Sequence, residues 1–190
     1  MPLLLGVIVV GLLAVALLWA VITFNLLVRS RNRVDESWAL IGVELQRRYE
    51  LVPNLLAAVQ GYADYERTVV ERVAESRAAA VAATDPDARA RADSSLTGAL
   101  RSLFMVSEAY PELKTSEQFL ALQDELALTE DRIAYARGFY NALVVEYETR
   151  RRSVPSKLVA DVLRFDPRRS FEADVESRRP VGVELRDAAG

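Results

Sequence analysis

Residues 119–147 read FLALQDELALTEDRIAYARGFYNALVVEY and carry the clearest helical pattern of the chain. Apolar or small side chains recur in it every three or four residues, at Phe119, Leu122, Leu126, Thr129, Ile133, Ala136, Tyr140, Leu143 and Tyr147. That spacing places them on one face of a helix, and the alternation of threes and fours is typical of bundles and coiled coils. The sequence predicts a helix over roughly 115–152, capped by Thr115 or Ser116, that buries this face.

The segments before this helix show the same periodicity. Apolar residues step by three or four from Val34 to Tyr62, which predicts one long helix over roughly 29–83. A second helix is predicted over about 86–110, because Thr84 or Asp85 can cap it and a proline suits its first turn.

A short fourth helix is predicted after Ser156, with Leu158, Val159, Val162 and Leu163 on its apolar face. Short connections between helices favour antiparallel neighbours. The predicted fold is therefore all-α, an antiparallel four-helix bundle with long helices over residues 29–173. No periodic apolar face follows, so residues 174–190 are expected to form a disordered polar tail.

The N-terminal segment predicts a membrane anchor over residues 1–28. No charged side chain occurs from Pro2 to Val28, and Leu3 to Ile22 is an unbroken apolar run. About 20 such residues in a helix cross the roughly 30 Å core of a bilayer, and the continuation to Val28 allows some tilt. A cleaved signal peptide is the alternative, with Ala14-Val15-Ala16 as its cleavage site. A signal usually carries a basic residue before the apolar run, and this chain has none.

Charges beside the span predict its orientation. Arg29, Arg31 and Arg33 follow the span and no basic side chain precedes it. The positive-inside rule therefore predicts a single-pass protein with its N-terminus outside and its bundle in the cytoplasm. The same arginines are expected to contact anionic lipid headgroups.

Composition excludes several kinds of chemistry. The 190 residues contain no histidine and no cysteine, which removes thiolate nucleophiles, histidine acid–base catalysis and Cys/His metal sites. The net charge of −3 gives no basic field for nucleic acid, and no phosphate-binding loop or other small-molecule motif is evident.

The densest charged motif on a predicted helix is Glu130-Asp131-Arg132. Glu130 lies beside the apolar stripe, so we expect it to pair with an arginine of the bundle, such as Arg47, Arg48 or Arg137. An all-carboxylate metal site that includes Asp131 is the alternative. The residue pair Glu-x-x-His that di-iron bundles use is absent, so neither a metal nor another cofactor is predicted.

Three further residues are candidates for kink or polar-core positions. Pro53 deprives the carbonyl of Tyr49 of its helical hydrogen bond, so we expect a kink there. An amide side chain can satisfy a freed carbonyl or fix the register between helices, which makes Asn54 and Asn141 the candidates for that role.

Several ordered motifs resemble the LemA family. They lie between about residues 25 and 172, and they are RNRVDESW at 31–38, LQRRYELVPNL at 45–55, GYA at 61–63, EAYPELK at 108–114, FLALQDEL at 119–126, TEDRIA at 129–134 and FYN at 139–141. The resemblance implies an N-terminal membrane anchor, a cytoplasmic helical bundle and a place in a bacterial inner membrane. It implies no enzymatic activity.

The predicted function is that of a non-enzymatic scaffold or adaptor at the membrane, which contacts itself or a partner protein through helical surfaces. A carboxylate-based enzyme or metal-binding bundle, and a regulator of envelope stress or proteolysis, are the alternatives. Because the predicted third helix points away from the membrane, the cluster Arg150-Arg151-Arg152 is expected to lie far from it.

Overall fold

The computed structural model describes residues 1–60 and 67–171, and the described residues are helical without strands. These residues form six helices, which are α1 (Pro2–Gln60), α2 (Arg67–Ala82), α3 (Pro86–Ser107), α4 (Pro111–Lys114), α5 (Glu117–Arg152) and α6 (Ser156–Val162). The all-α bundle is confirmed. The predicted stripe positions Gly61 and Tyr62, and the tail 174–190, lie outside the described residues.

The helix α1 has two parts that differ in burial. Its side chains from Leu3 to Trp19 stand away from the bundle, and it is the one helix of the described chain long and apolar enough to cross a membrane. Ala20 is partly buried against the core. From Thr23 onward one face is buried, at Thr23, Leu27, Ser30, Val34, Ser37, Ile41 and Leu45. Full burial therefore begins at Thr23, inside the segment that the sequence assigned to the anchor, and the 20 apolar residues 3–22 precede it.

The prediction of one helix over 29–83 is wrong. The Nε of Arg77 on α2 donates to the backbone carbonyl of Tyr49 on α1 at 2.7 Å, whereas 28 residues of one straight helix would separate them by about 42 Å. The helix α2 thus runs back along α1. The reversal buries Val73 and Ala80 completely, and a straight continuation would leave both in water.

The reversal changes the direction of every later helix. The long helix α5 runs antiparallel to α1, because Arg47 pairs with Glu125 while Arg33 pairs with Glu146. The C-terminal end of α5 consequently returns to the end of the bundle where the exposed apolar segment leaves it, here called the near end. The expectation that Arg150–Arg152 lie far from that end is wrong for this reason.

The helices α2 and α3 cover only the half of the α1–α5 pair that lies away from the near end. The near half is covered by α6 and by residues 164–171, here called the strap. The ring of Phe165 contacts that of Phe24 at 5.9 Å between centroids, and the ring of Phe171 lies 5.8 Å from that of Trp38. The strap thus runs from the near end back along α1 and α5.

Candidate functional site: a buried ion-pair cluster and a side-chain-bound strap

Four charged side chains meet inside the bundle. Asp93 of α3 is fully buried and accepts from Arg48 of α1 at 3.3 Å and from Arg137 of α5. Glu130 of α5 approaches the same Arg48 at 2.7 Å. A buried charge without a partner is costly, so these pairs fix the relative positions of the three helices.

The cluster shows which of the three predicted arginines pairs with Glu130. Glu130 pairs with Arg48, whereas Arg47 pairs with Glu125 at 2.9 Å and Arg137 pairs with Asp93. The sequence analysis missed Asp93 altogether. Its signal was an acidic residue three positions before Leu96, on the buried face of α3.

The carboxylate metal site is not supported. Asp131 is exposed and Arg132 is half-buried, so neither side chain joins Glu130 in the cluster. Within residues 1–60 and 67–171, no group of three or more potential ligands is placed to hold a metal ion. Glu130 instead neutralises an arginine.

An open groove of about 470 Å³ lies between α3 and α5, beside the cluster. Apolar side chains such as Leu100, Phe104 and Leu126 line it, together with Arg48. Asp93 and Glu130 already neutralise Arg48, while Arg101 and Glu108 add one charge of each sign to the lining.

The backbone carbonyl of Tyr49, which Pro53 deprives of its helical hydrogen bond, accepts a hydrogen bond from a side chain that was not predicted. The helix α1 continues through Pro53, and the guanidinium of Arg77 occupies the position opposite the carbonyl of Tyr49. Asn54 is exposed, and Arg77 rather than Asn54 donates to this carbonyl. Only the reversal of the chain brings Arg77 to this carbonyl, which is why spacing along one helix did not identify it.

Asn141 binds the backbone of the strap. Its Nδ2 donates to the carbonyl of Phe171 at 3.1 Å, and its Oδ1 accepts from the N–H of Phe171 at 2.7 Å. The hydroxyls of Tyr140 and Tyr147 donate to the carbonyls of Arg169 and Asp166 at 2.9 and 2.7 Å. Burial raises the pKa of both tyrosines, which keeps these hydroxyls protonated as donors.

Glu148 joins the end of α5 to the strap. It accepts from the backbone N–H of Arg168 at 2.8 Å and from the guanidinium groups of Arg151 and Arg152 at 2.9 and 3.0 Å. Burial by itself would raise the pKa of Glu148, but the hydrogen bonds from Arg151 and Arg168 outweigh it and lower the pKa. The carboxylate is therefore ionised and holds the strap at neutral pH.

The three arginines after the apolar segment have different surroundings. Arg29 is exposed, the guanidinium of Arg31 lies 5.6 Å from the ring centroid of Phe165, and Arg33 pairs with Glu146 at 3.4 Å. Two of the three thus contact the near end of the bundle.

Comparison with known proteins identifies a family and a relative. A family model described as the LemA family matches residues 37–185. Protein LemA of Metamycoplasma hominis is 26% identical over 130 residues, which cover 66% of this chain. The matched part spans 58% of the length of that relative.

Proposed function

The chain belongs to the LemA family, and from this premise we propose that it is a single-pass protein of the bacterial cytoplasmic membrane whose bundle is a non-enzymatic scaffold. The N-terminus lies outside the membrane and the bundle lies in the cytoplasm, as the arginines at 29, 31 and 33 favour.

The difference in burial between the two parts of α1 supports the proposal that its first part is a membrane anchor. Residues 3–22 are apolar, all but Ala20 are exposed, and they span about 30 Å at 1.5 Å per residue. The same helix enters the bundle core at Thr23 without interruption. An exposed apolar surface of this size in water would be a strong aggregation hazard, so a bilayer is its natural surrounding.

The role of scaffold is supported by how the polar interior is used. Asp93, Arg48 and Arg137 are paired with one another, and the amide of Asn141 and the hydroxyl of Tyr147 bind the strap. These groups hold helices together and are not directed at a substrate. The surface therefore provides the features that a partner would recognise.

One flank of the α1–α5 pair is the best candidate for such contacts. Leu40 and Val43 on α1 are 54% and 63% exposed, and Tyr135 and Phe139 on α5 are 77% and 42% exposed. In the antiparallel register set by Arg33–Glu146 and Arg47–Glu125, these four residues lie at the same level, between the two ion pairs. Exposed apolar strips bordered by charged pairs are typical of helix–helix interfaces.

Crosslinking in cells tests the scaffold. Because the chain has no cysteine, Tyr135→Cys provides a unique thiol on this flank, and Val81→Cys on α2 is an exposed control. We expect a thiol-specific crosslinker to join position 135, and not position 81, to a second copy or to a partner protein. If position 135 yields no more crosslinked product than position 81, this flank is not the interface. If a crosslinker reactive with surface amines also recovers no complex, the scaffold proposal fails.

A further inference from the structure

The short helix α6 has an apolar side that the bundle does not cover. Leu158 and Val162 lie four residues apart on α6 and are 65% and 78% exposed, and Val154, in the turn just before the helix, is 82% exposed. Val159 and Ala160, on the other side of the helix, are buried. A surface helix normally turns polar side chains outward, so this outer side lacks a partner that apolar residues require.

The position of α6 in the bundle places its exposed apolar side near the end of the apolar segment of α1. The helix packs on α1 and α5, and Phe165, three residues after its end, contacts Phe24 of α1. Thr23 and Leu27 are buried at this level. The helix therefore lies beside the last turns of the apolar segment, where a membrane that encloses residues 3–22 would end.

The charges around α6 suit a membrane surface. Lys157 and Arg164 occupy exposed positions within and just after α6, and Arg152 is exposed at the end of α5; Asp161 is the one acidic residue of α6 and is also exposed. Arg29 is exposed on α1 at the same end of the bundle. Basic side chains that border an apolar helix face are typical of helices that lie in the interface of an anionic bilayer.

We propose that α6 is a second membrane contact, which rests on the anchor proposed above. Val154, Leu158 and Val162 lie at the boundary between headgroups and acyl chains, and the neighbouring lysine and arginines contact anionic headgroups. The span and α6 together give two points of attachment. They hold the near end of the bundle against the bilayer and fix the height and tilt at which the α1–α5 flank is presented.

Spin labels on single cysteines test this contact in the full-length protein. Leu158→Cys and Val162→Cys are labelled in vesicles of phosphatidylcholine and phosphatidylglycerol, and collisions with oxygen and with a water-soluble nickel chelate are compared. Ile8→Cys reports the centre of the span. Met105→Cys, 66% exposed on α3, is the matched control at the far end of the bundle. We expect an oxygen-to-nickel collision ratio at 158 and 162 several-fold above that at 105 and below that at 8.

Each outcome decides between the proposals. If position 8 is shielded from nickel while 158 and 162 match 105, the contact of α6 is refuted and the anchor stands. If position 8 is itself accessible to nickel, the anchor fails and the contact of α6 fails with it. If shielding at 158 is present in crowded vesicles but lost in nanodiscs that hold one copy, a second copy covers α6, and the lipid contact is refuted.

Discussion

Replacement of Asp93 should destabilise the bundle more than any other single loss of charge that we consider. The carboxylate is fully buried between Arg48, which is 4% exposed, and Arg137, whose side chain is 24% exposed. In Asp93→Leu, the buried guanidinium of Arg48 keeps only the half-exposed Glu130 as an ion-pair partner.

The structure sets the size of this loss. Removal of one partner from a buried ion pair costs about 3–5 kcal/mol. Since Glu130 still pairs with Arg48 and Arg137 can reach water, we expect Asp93→Leu to lower the free energy of unfolding by about 3 kcal/mol, the lower end of this range. For a domain of this size that corresponds to a decrease in Tm of about 6–12 °C.

The assay is urea unfolding of the full-length protein in a mild detergent, followed by circular dichroism. The double variant Arg48→Met with Asp93→Leu removes both buried charges, so we expect it to return to within about 1 kcal/mol of the parent. Glu71→Gln, which breaks the exposed pair with Arg67, is the control and should change the free energy of unfolding by less than about 0.5 kcal/mol. The reasoning is refuted if Asp93→Leu costs no more than this control, or if the double variant is as unstable as the single one.

Three further predictions concern the strap, α6 and Tyr49. Asn141→Ala removes both hydrogen bonds to the backbone of Phe171, so the exchange rate of the Phe171 amide proton should rise about tenfold; an unchanged rate would show that the amide does not hold the strap. Arg164 has φ of 53°, in the left-handed region that glycine tolerates, and Arg164→Gly should raise the free energy of unfolding by about 1 kcal/mol, whereas a decrease would contradict this. Burial raises the pKa of Tyr49 to about 12, above its unfolded value of 10. Between these two values the unfolded state loses the proton while the native state retains it, so the free energy of unfolding should fall by about 2 kcal/mol as the pH rises to about 11.5. The free energy of unfolding of Tyr49→Phe should fall by about 2 kcal/mol less than that of the parent over this range. Urea unfolding of both proteins at pH 8 and at about pH 11.5 measures the two decreases, and equal decreases would refute this cause.

Periodicity along a helix predicted the parts of the fold that depend on one helix at a time. Eight of the nine stripe residues of α5 are buried and Leu122 is half-buried, because a sustained 3–4 spacing leaves one face to cover. Asp85 caps α3 by accepting from the N–H of Ala88 at 2.9 Å, and Ser116 accepts from Phe119 at the start of α5.

Features that depend on two distant segments were not predictable in this way. The Ala-rich segment that became α2 continues the helical pattern of α1, so local propensity alone favoured one helix, and burial of Val73 and Ala80 overrode it. This single error also inverted the direction assigned to α5. The strap has no periodic pattern, because its backbone is held by side chains of α5 such as Tyr147 and Asn141.

Thiol accessibility in whole cells tests whether the bundle is cytoplasmic and is held by one N-terminal span. Tyr135→Cys and Pro2→Cys are expressed separately and treated with a maleimide that enters the periplasm but does not cross the cytoplasmic membrane. We predict that Pro2→Cys is labelled in intact cells, and that Tyr135→Cys is labelled only after the membrane is opened. Labelling of Tyr135→Cys in intact cells would contradict the account.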